Sequence, residues 1–139
     1  MISPKVYQKQ IQDLGIEGLV VFPENADEAD FIFENLKNIE KMLMRIRYNI
    51  RIDIRSIRRE YMEKIKEIRD SSKVMGLYNK ERPMKDRISE KRYLIDERDM
   101  KIAPYESIEY MIDDYLRQIK DAKKYVANYS RKHADTKTD

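Results

Sequence analysis

Residues 45–59 read RIRYNIRIDIRSIRR, and this stretch decides between a strand and a helix. At its centre, from Ile50 to Arg55, apolar and polar residues alternate as they do in a half-buried strand. On both sides of that centre, apolar residues recur at steps of three and four. They are Ile39, Leu43, Ile46, Ile50, Ile54, Ile57, Tyr61, Ile65 and Ile68. Because this helical spacing extends well beyond the alternating centre, the pattern predicts one long helix with a single apolar seam.

The ends of this long helix are marked by local signals, and the sequence predicts it over residues 25–72. No proline or glycine interrupts this range. Asn25 can accept hydrogen bonds from the amides of the first turn, and Glu28 three residues later completes a capping-box pattern.

A shorter helix is predicted at the amino terminus, over residues 3–14. Ser3 can cap it, Pro4 suits its first position, and Gly15 follows its end. Residues 15–24 are predicted to form an extended linker to the long helix.

The remainder of the chain is predicted to turn back along the long helix. A turn is predicted at 73–83, followed by a second arm over 84–102 and 104–131 and a polar tail over 132–139. The second arm is expected to break near Pro104, because proline removes an amide donor and disfavours helix at the preceding residue. The predicted fold class is therefore all-α. It is a long antiparallel helical hairpin with coiled-coil-like packing, and with the short amino-terminal helix it makes one elongated domain.

The apolar pattern of the second arm differs before and after Pro104. Before it, only Ile88, Ile95 and Ile102 recur, at intervals of seven, with charged residues between them. After it, apolar residues alternate steps of three and four, as in a heptad seam. They are Tyr105, Ile108, Ile112, Tyr115, Ile119, Ala122, Val126 and Tyr129. The first part of this arm is thus expected to have a weak core.

Composition limits the functional class. Charged residues make up 40% of the chain, against roughly 25% in an average globular protein. The net charge of +3 comes from 29 basic and 26 acidic side chains, so general affinity for polyanions is not implied. The absence of cysteine excludes disulfides, thiolate metal sites and cysteine nucleophiles. With no signal-peptide-like or membrane-spanning apolar run, a soluble cytoplasmic protein is expected. The lack of Cys and Trp, with abundant Ile, Lys, Arg and Glu, is typical of thermophiles.

Blocks of opposite charge are expected to face each other across the hairpin. In a hairpin that turns near residue 77, facing positions have numbers that add to about 155. The acidic block 24–40 would then face the basic block 115–131, and the basic block 41–50 would face the acidic block 105–114. Exposed pairs contribute at most about 1 kcal/mol each, so they select the register more than they stabilise the fold.

This register leads to a specific expectation for the arginines of the long helix. Arg45 and Arg47 are predicted to lie near the carboxylates of 106–114. Three further arginines would face 97–104, where acids and bases offset each other, and would be more available to an outside partner. They are Arg51, Arg55 and Arg58.

Four arginines form a stripe along one flank of the seam: Arg47, Arg51, Arg55 and Arg58. Such a stripe can follow a phosphate backbone, with Tyr48 nearby for stacking on a base. The alternative is that these arginines pair with carboxylates of the other arm.

A second apolar strip lies away from the seam and is the candidate partner surface. On a helical wheel of about 100° per residue it falls 120° to 200° from Ile50. It comprises Met44, Tyr48, Ile52 and Met62. A second strip needs a second cover, which is either the amino-terminal helix or a partner chain. The alternative is that these four residues are scattered surface hydrophobes, which are common on soluble proteins.

No set of residues indicates catalysis. The carboxylate clusters of both arms lie among many bases, His133 is the only histidine and falls in the polar tail, and no phosphate-binding glycine loop occurs. We therefore expect no enzyme activity, no cofactor and no metal site. The sequence favours a non-enzymatic helical interaction or scaffold protein, with a protein partner and homo-oligomerisation. A nucleic-acid-binding module that uses the arginine stripe is the alternative, and no membrane partner is expected.

Overall fold

A computed structural model describes the backbone of residues 1–74 and 84–134, with side chains within 1–69 and 86–133. It contains three α-helices: α1 (Pro4–Asp13), α2 (Ala26–Val74) and α3 (Met84–Ala134). The described residues form no strand, and α2 packs along α3, which confirms the all-helical hairpin. Most of the predicted turn (75–83) and of the predicted tail (135–139) lies outside the described residues.

Helix α1 ends where the sequence predicts. Gly15 follows it with a φ of 67°, in the left-handed region that glycine adopts without a steric penalty. Ser3 precedes the helix, but its side chain makes no capping hydrogen bond, so this part of the prediction is wrong. The backbone oxygen of Ser3 instead accepts from the amide of Val6 at 3.1 Å.

Helix α2 begins with the predicted cap. The amide of Glu28 donates to Oδ1 of Asn25 at 2.8 Å, and the amide of Ala29 donates to the Asn25 carbonyl oxygen at 3.0 Å. The Glu28 carboxylate accepts from the amide of Glu24 at 3.4 Å, one residue before the cap. Both parts of the capping-box pattern are thus used to satisfy amides that have no partner inside the helix.

The predicted linker is not fully extended. Residues Ile16–Gly18 form a short 3-10 helix between α1 and α2. The Gly18 amide donates to the Gly15 carbonyl oxygen at 3.2 Å, and the Leu19 amide donates to the Ile16 carbonyl oxygen at 3.2 Å. The turn that Gly15 begins therefore continues for three residues before the chain extends.

Contacts divide the chain into two compact units. The first unit consists of Met1–Asn49 and Ile108–Asp139. Its side-chain contacts run antiparallel, because Asp30 meets Ser130, Glu40 meets Lys123 and Arg47 meets Asp113. Its core combines residues of α1, the first turns of α2 and most of the predicted seam, although the predicted seam residues Tyr115, Ala122 and Tyr129 are only half-buried. The buried apolar residues are Tyr7, Ile11, Ala26, Ala29, Ile32, Leu36, Ile39, Leu43, Ile46, Ile108, Ile112, Ile119 and Val126.

The second unit, Ile50–Ser107, is well packed at one end only. Its buried apolar residues are Ile50, Ile54, Ile57, Tyr61, Ile102 and Tyr105. Beyond Tyr61 the seam continues in sequence, but Ile65 and Ile68 are only half-buried. On α3, Ile88 is 54% exposed. The poor apolar pattern before Pro104 thus corresponds to an open seam.

The predicted break near Pro104 is wrong, because α3 continues through it from Met84 to Ala134. Proline costs a helix one hydrogen bond and introduces a clash with the carbonyl four residues earlier. Its neighbours Ile102 and Tyr105 are buried, so packing on both sides of Pro104 holds the backbone helical. Residues 132–134 of the predicted tail are also helical, and the ring of His133 stacks on Tyr129 with centroids 3.9 Å apart.

Candidate interaction surface

The amino-terminal segment of the first unit lies along α3. The Tyr115 hydroxyl donates to Oε1 of Glu17 at 3.3 Å, and the ring of Phe22 meets the ring of Tyr125 edge-on with centroids 5.7 Å apart. A groove of about 410 Å³ separates α1 and the 3-10 helix from Met111 and Tyr115. The segment that contains Glu17 and Phe22 therefore covers part of α3.

The contact between Tyr115 and Glu17 affects the pKa of the Tyr115 hydroxyl. Burial raises the pKa of the Tyr115 hydroxyl above its ordinary value of 10.0, and the negative charge of Glu17 raises it further. Burial likewise raises the pKa of Tyr105 in the second unit, with Asp53 as the second cause.

A raised tyrosine pKa makes stability depend on alkaline pH. Above pH 10 the unfolded chain ionises at Tyr115 before the folded chain does, so this contribution is complete below pH 10 and is lost as pH rises towards the folded pKa. We expect Tyr115→Phe to lose less stability than the wild type between about pH 9 and about pH 11. Urea denaturation at both pH values measures this, with the exposed Tyr110→Phe as control. Equal losses in Tyr115→Phe and wild type would contradict the assignment.

The exposed side of α2 carries apolar side chains in the first unit. Met44 is 54% exposed and Tyr48 is 64% exposed, and the two lie one turn apart on the helix. Lys41 and Arg45 are exposed beside them and form no ion pair with any described residue. The amino-terminal helix was one of two predicted covers for this strip, and it leaves Met44 and Tyr48 exposed.

In the second unit, α2 likewise exposes apolar side chains beside basic ones. Ile52 and Met62 are exposed, as are Arg55 and Arg59. Between Glu40 and Glu60 the only carboxylate in the sequence is Asp53.

We use the term outward face of α2 for eight residues, four in each unit: Lys41, Met44, Arg45 and Tyr48, then Ile52, Arg55, Arg59 and Met62. All four predicted partner-surface residues thus occur on it.

The charge blocks meet as predicted in the first unit. Arg47 donates to Oδ1 of Asp113 at 3.0 Å, and Lys123 lies 3.3 Å from Oε2 of Glu40. Both pairs are partly exposed, so each contributes at most about 1 kcal/mol.

The predicted register is nevertheless displaced. Numbers that add to 155 place position 108 opposite Arg47, whereas the structure places Asp113 there, five residues further on. The prediction for Arg45 is not supported, because its side chain is exposed and pairs with no carboxylate of the described residues. A helix turns by about 200° between these two residues, so they cannot both reach α3.

The arginine stripe is largely occupied by contacts within the chain. Arg47 pairs with Asp113 in the first unit, and in the second unit Nη2 of Arg58 lies 3.7 Å from Oε1 of Glu106. Arg51 also has an interaction within the chain. Arg55 alone of the stripe is exposed without an ion pair to a described residue. The side chain of Arg58 is still 60% exposed in its pair, so the greater availability of Arg51, Arg55 and Arg58 to an outside partner stays a prediction.

Within 1–74 and 84–134, no cluster of three or more His, Cys, Asp or Glu side chains could hold a metal ion. None of the described helices has a stretch long and apolar enough to cross a membrane. The clearest surface feature of α2 is thus the outward face, and the second unit also contains a cavity between α2 and α3.

Comparison with known proteins adds no relative. No family model, no curated protein and no solved structure matches this chain.

Proposed function

We propose that this chain is a non-enzymatic helical interaction protein that binds a protein partner through the outward face of α2. The observation that supports this is the exposure of Met44 and Tyr48, at 54% and 64%, on a helix whose opposite side is buried from Ile39 to Tyr61. The amino-terminal helix does not cover them, which favours a partner chain over the first of the two predicted covers.

The charge of the outward face defines the chemistry of the partner. Lys41 and Arg45 surround the apolar pair in the first unit, and Arg55 and Arg59 lie between Ile52 and Met62 in the second. A symmetric contact between two α2 helices would bring these cations against each other. The partner surface is therefore acidic, with apolar or aromatic side chains to cover Met44 and Tyr48.

A second copy of the chain offers such a surface. Residues 24–34 carry five carboxylates and, among them, Phe31, which is 74% exposed. A contact between this stretch of one copy and the outward face of another is complementary in both charge and apolarity. It is heterologous, because different surfaces of the two copies meet.

Solution mass tests self-association. At micromolar concentration we expect sedimentation to give a mass above the 16.9 kDa of one chain, and we expect Tyr48→Glu plus Ile52→Glu to return it to a monomer. Burying an added carboxylate without a partner costs several kcal/mol, which is enough to dissociate a micromolar complex. Phe31→Glu should have the same effect if residues 24–34 supply the other half of the contact.

A matched control places the same charge on exposed apolar residues of α3. Tyr110→Glu plus Met100→Glu adds two carboxylates at residues that are 71% and 77% exposed, and it should leave the mass unchanged. A monomeric wild-type protein, or equal dissociation by the control variant, would contradict self-association through α2.

Nucleic-acid binding through the arginine stripe is the second hypothesis. It has less support, since Arg47 and Arg58 pair with carboxylates of the chain itself. If the stripe binds phosphates, affinity for duplex or single-stranded DNA should fall steeply with salt and drop in Arg51→Ala plus Arg55→Ala. No binding at low salt would exclude this hypothesis.

A further inference from the structure

The open end of the second unit contains a cavity between α2 and α3. It has a volume of about 440 Å³. This lies within the range of roughly 300–1,000 Å³ that small-molecule sites occupy. Its apolar lining consists of Met62, Ile65, Ile68 and Ile88. The apolar seam of α2 is buried at Tyr61 and continues with Ile65 and Ile68, which are only half-buried. The cavity therefore lies where α3 does not fully cover the apolar side chains of α2.

The polar lining of this cavity is entirely cationic. It consists of Lys66, Arg69, Arg87 and Lys91, and no carboxylate of the described residues lines it. Lys66 and Lys91 form no ion pair with any described residue. Nε of Arg87 is buried and has no hydrogen-bond partner among the described residues. An anion in the cavity would accept charge-assisted hydrogen bonds from the guanidinium and ammonium groups that line it.

The side chains of the lining also exclude several ligand classes. Lysine and arginine are donors only, and the other side chains are aliphatic or thioether groups. Sugars, nucleosides and peptides carry donors that would find no strong acceptor among these side chains. A ligand that satisfies this lining has a hydrocarbon body and an anionic head that accepts hydrogen bonds.

We propose that this cavity binds a medium-chain fatty carboxylate. The alkyl chain packs against Ile65, Ile68 and Ile88, and the carboxylate accepts hydrogen bonds from Arg87 and from the ammonium groups of Lys66 and Lys91. No covalent step is involved. The site is separate from the proposed function, because its charge and its apolar lining do not depend on a protein partner.

Calorimetric titration of the full chain tests the site with three probes. Decanoate, below its micelle concentration, supplies both the chain and the charge, decanol supplies the chain alone, and acetate supplies the charge alone. We expect decanoate to bind, decanol to bind at least about tenfold more weakly, and acetate to give no measurable heat. Equal affinity for decanoate and decanol would overturn the proposal, as would the absence of decanoate binding.

Variants locate the binding on the chain. Arg87→Gln plus Lys91→Gln should weaken decanoate binding by about tenfold or more, and Ile88→Asp should abolish it. Ile88 is 54% exposed, so its replacement leaves the packed core intact, and circular dichroism verifies the helices. Arg55→Gln plus Met100→Asp is the matched control and should bind as the wild type does. An unchanged affinity in Arg87→Gln plus Lys91→Gln would overturn the assignment.

The two proposals fail independently. Tyr48→Glu plus Ile52→Glu, which tests the outward face, changes no residue of the cavity and should leave decanoate affinity unchanged. If decanoate bound only to the oligomer, this variant would lose both properties. The ligand site would then belong to the interface, and the assignment to this cavity would be wrong.

Discussion

Replacing Ile57 by alanine is expected to lower the free energy of unfolding by about 2–5 kcal/mol. Ile57 is 3% exposed and belongs to the closed part of the seam, between Ile54 and Tyr61. Removing its side-chain carbons loses their burial and leaves a space that neighbouring helices fill only in part. This is one of the largest effects expected from a single substitution in the second unit.

The matched substitution is Ile65→Ala, two helical turns further along the same seam. Ile65 is half-buried and lines the cavity, so alanine there removes less buried surface and creates no enclosed space. We expect it to lower the free energy of unfolding by about 1 kcal/mol or less. Urea denaturation of both variants measures the difference, and equal losses would show that the seam is closed at Ile65.

Replacing Pro104 by alanine is expected to raise the free energy of unfolding by about 2 kcal/mol. Proline in a helix interior costs about 3 kcal/mol relative to alanine, and about 1 kcal/mol of this is offset because proline also restricts the unfolded chain. Pro104 is exposed, so its replacement loses no buried contact. The alanine variant regains an amide donor for the carbonyl of Met100.

Thermal and urea unfolding of Pro104→Ala check this expectation. Ala103→Gly, at the neighbouring exposed position of α3, is the matched control for a change in helix propensity alone and should destabilise by about 1 kcal/mol. A Pro104→Ala variant no more stable than the wild type would mean that the helix already accommodates proline without loss.

Local rules were enough to predict most of the helical elements. The cap at Asn25 and the stop at Gly15 depend on residues three or four positions apart, and both are found. The seam from Ile39 to Tyr61 is likewise a local repeat, and every member of it is buried. Pro104 differs because the packing of Ile102 and Tyr105, which a local rule does not include, decides whether the helix continues.

The register could be predicted only to the level of charge blocks. Blocks of ten or more residues remain opposite each other after a displacement of five residues, so Arg47 still meets an acid although the facing position is Asp113 instead of 108. In the second unit the displacement is larger, since Arg58 pairs with Glu106, nine residues beyond the predicted facing position 97. Long arginine and lysine side chains can reach carboxylates in several registers. Matching blocks of opposite charge therefore does not distinguish registers that differ by a few residues.

The sequence indicates the outward face of α2 but not the cavity in the second unit. Periodicity places Met44 and Tyr48 away from the seam, and both are exposed, although whether a partner binds there remains a prediction. The cavity was missed because Ile65 and Ile68 continue the apolar pattern without interruption. The signal that could have found it lies on the other arm, where Ile88 and Ile95 are the only residues of 84–101 in the seven-residue apolar repeat and charged residues lie between them.

The open seam also has a consequence for the order of folding. The contacts between arms that are closest in sequence are those of the cavity end, and they are the poorest in buried surface. The better-packed contacts join residues far apart, with separations of 66 for Arg47 and Asp113, 83 for Glu40 and Lys123, and 100 for Asp30 and Ser130. Loop-closure entropy must be lost before such contacts form. We therefore expect the core of the first unit to form late and the chain to fold more slowly than helical bundles whose strongest contacts are local.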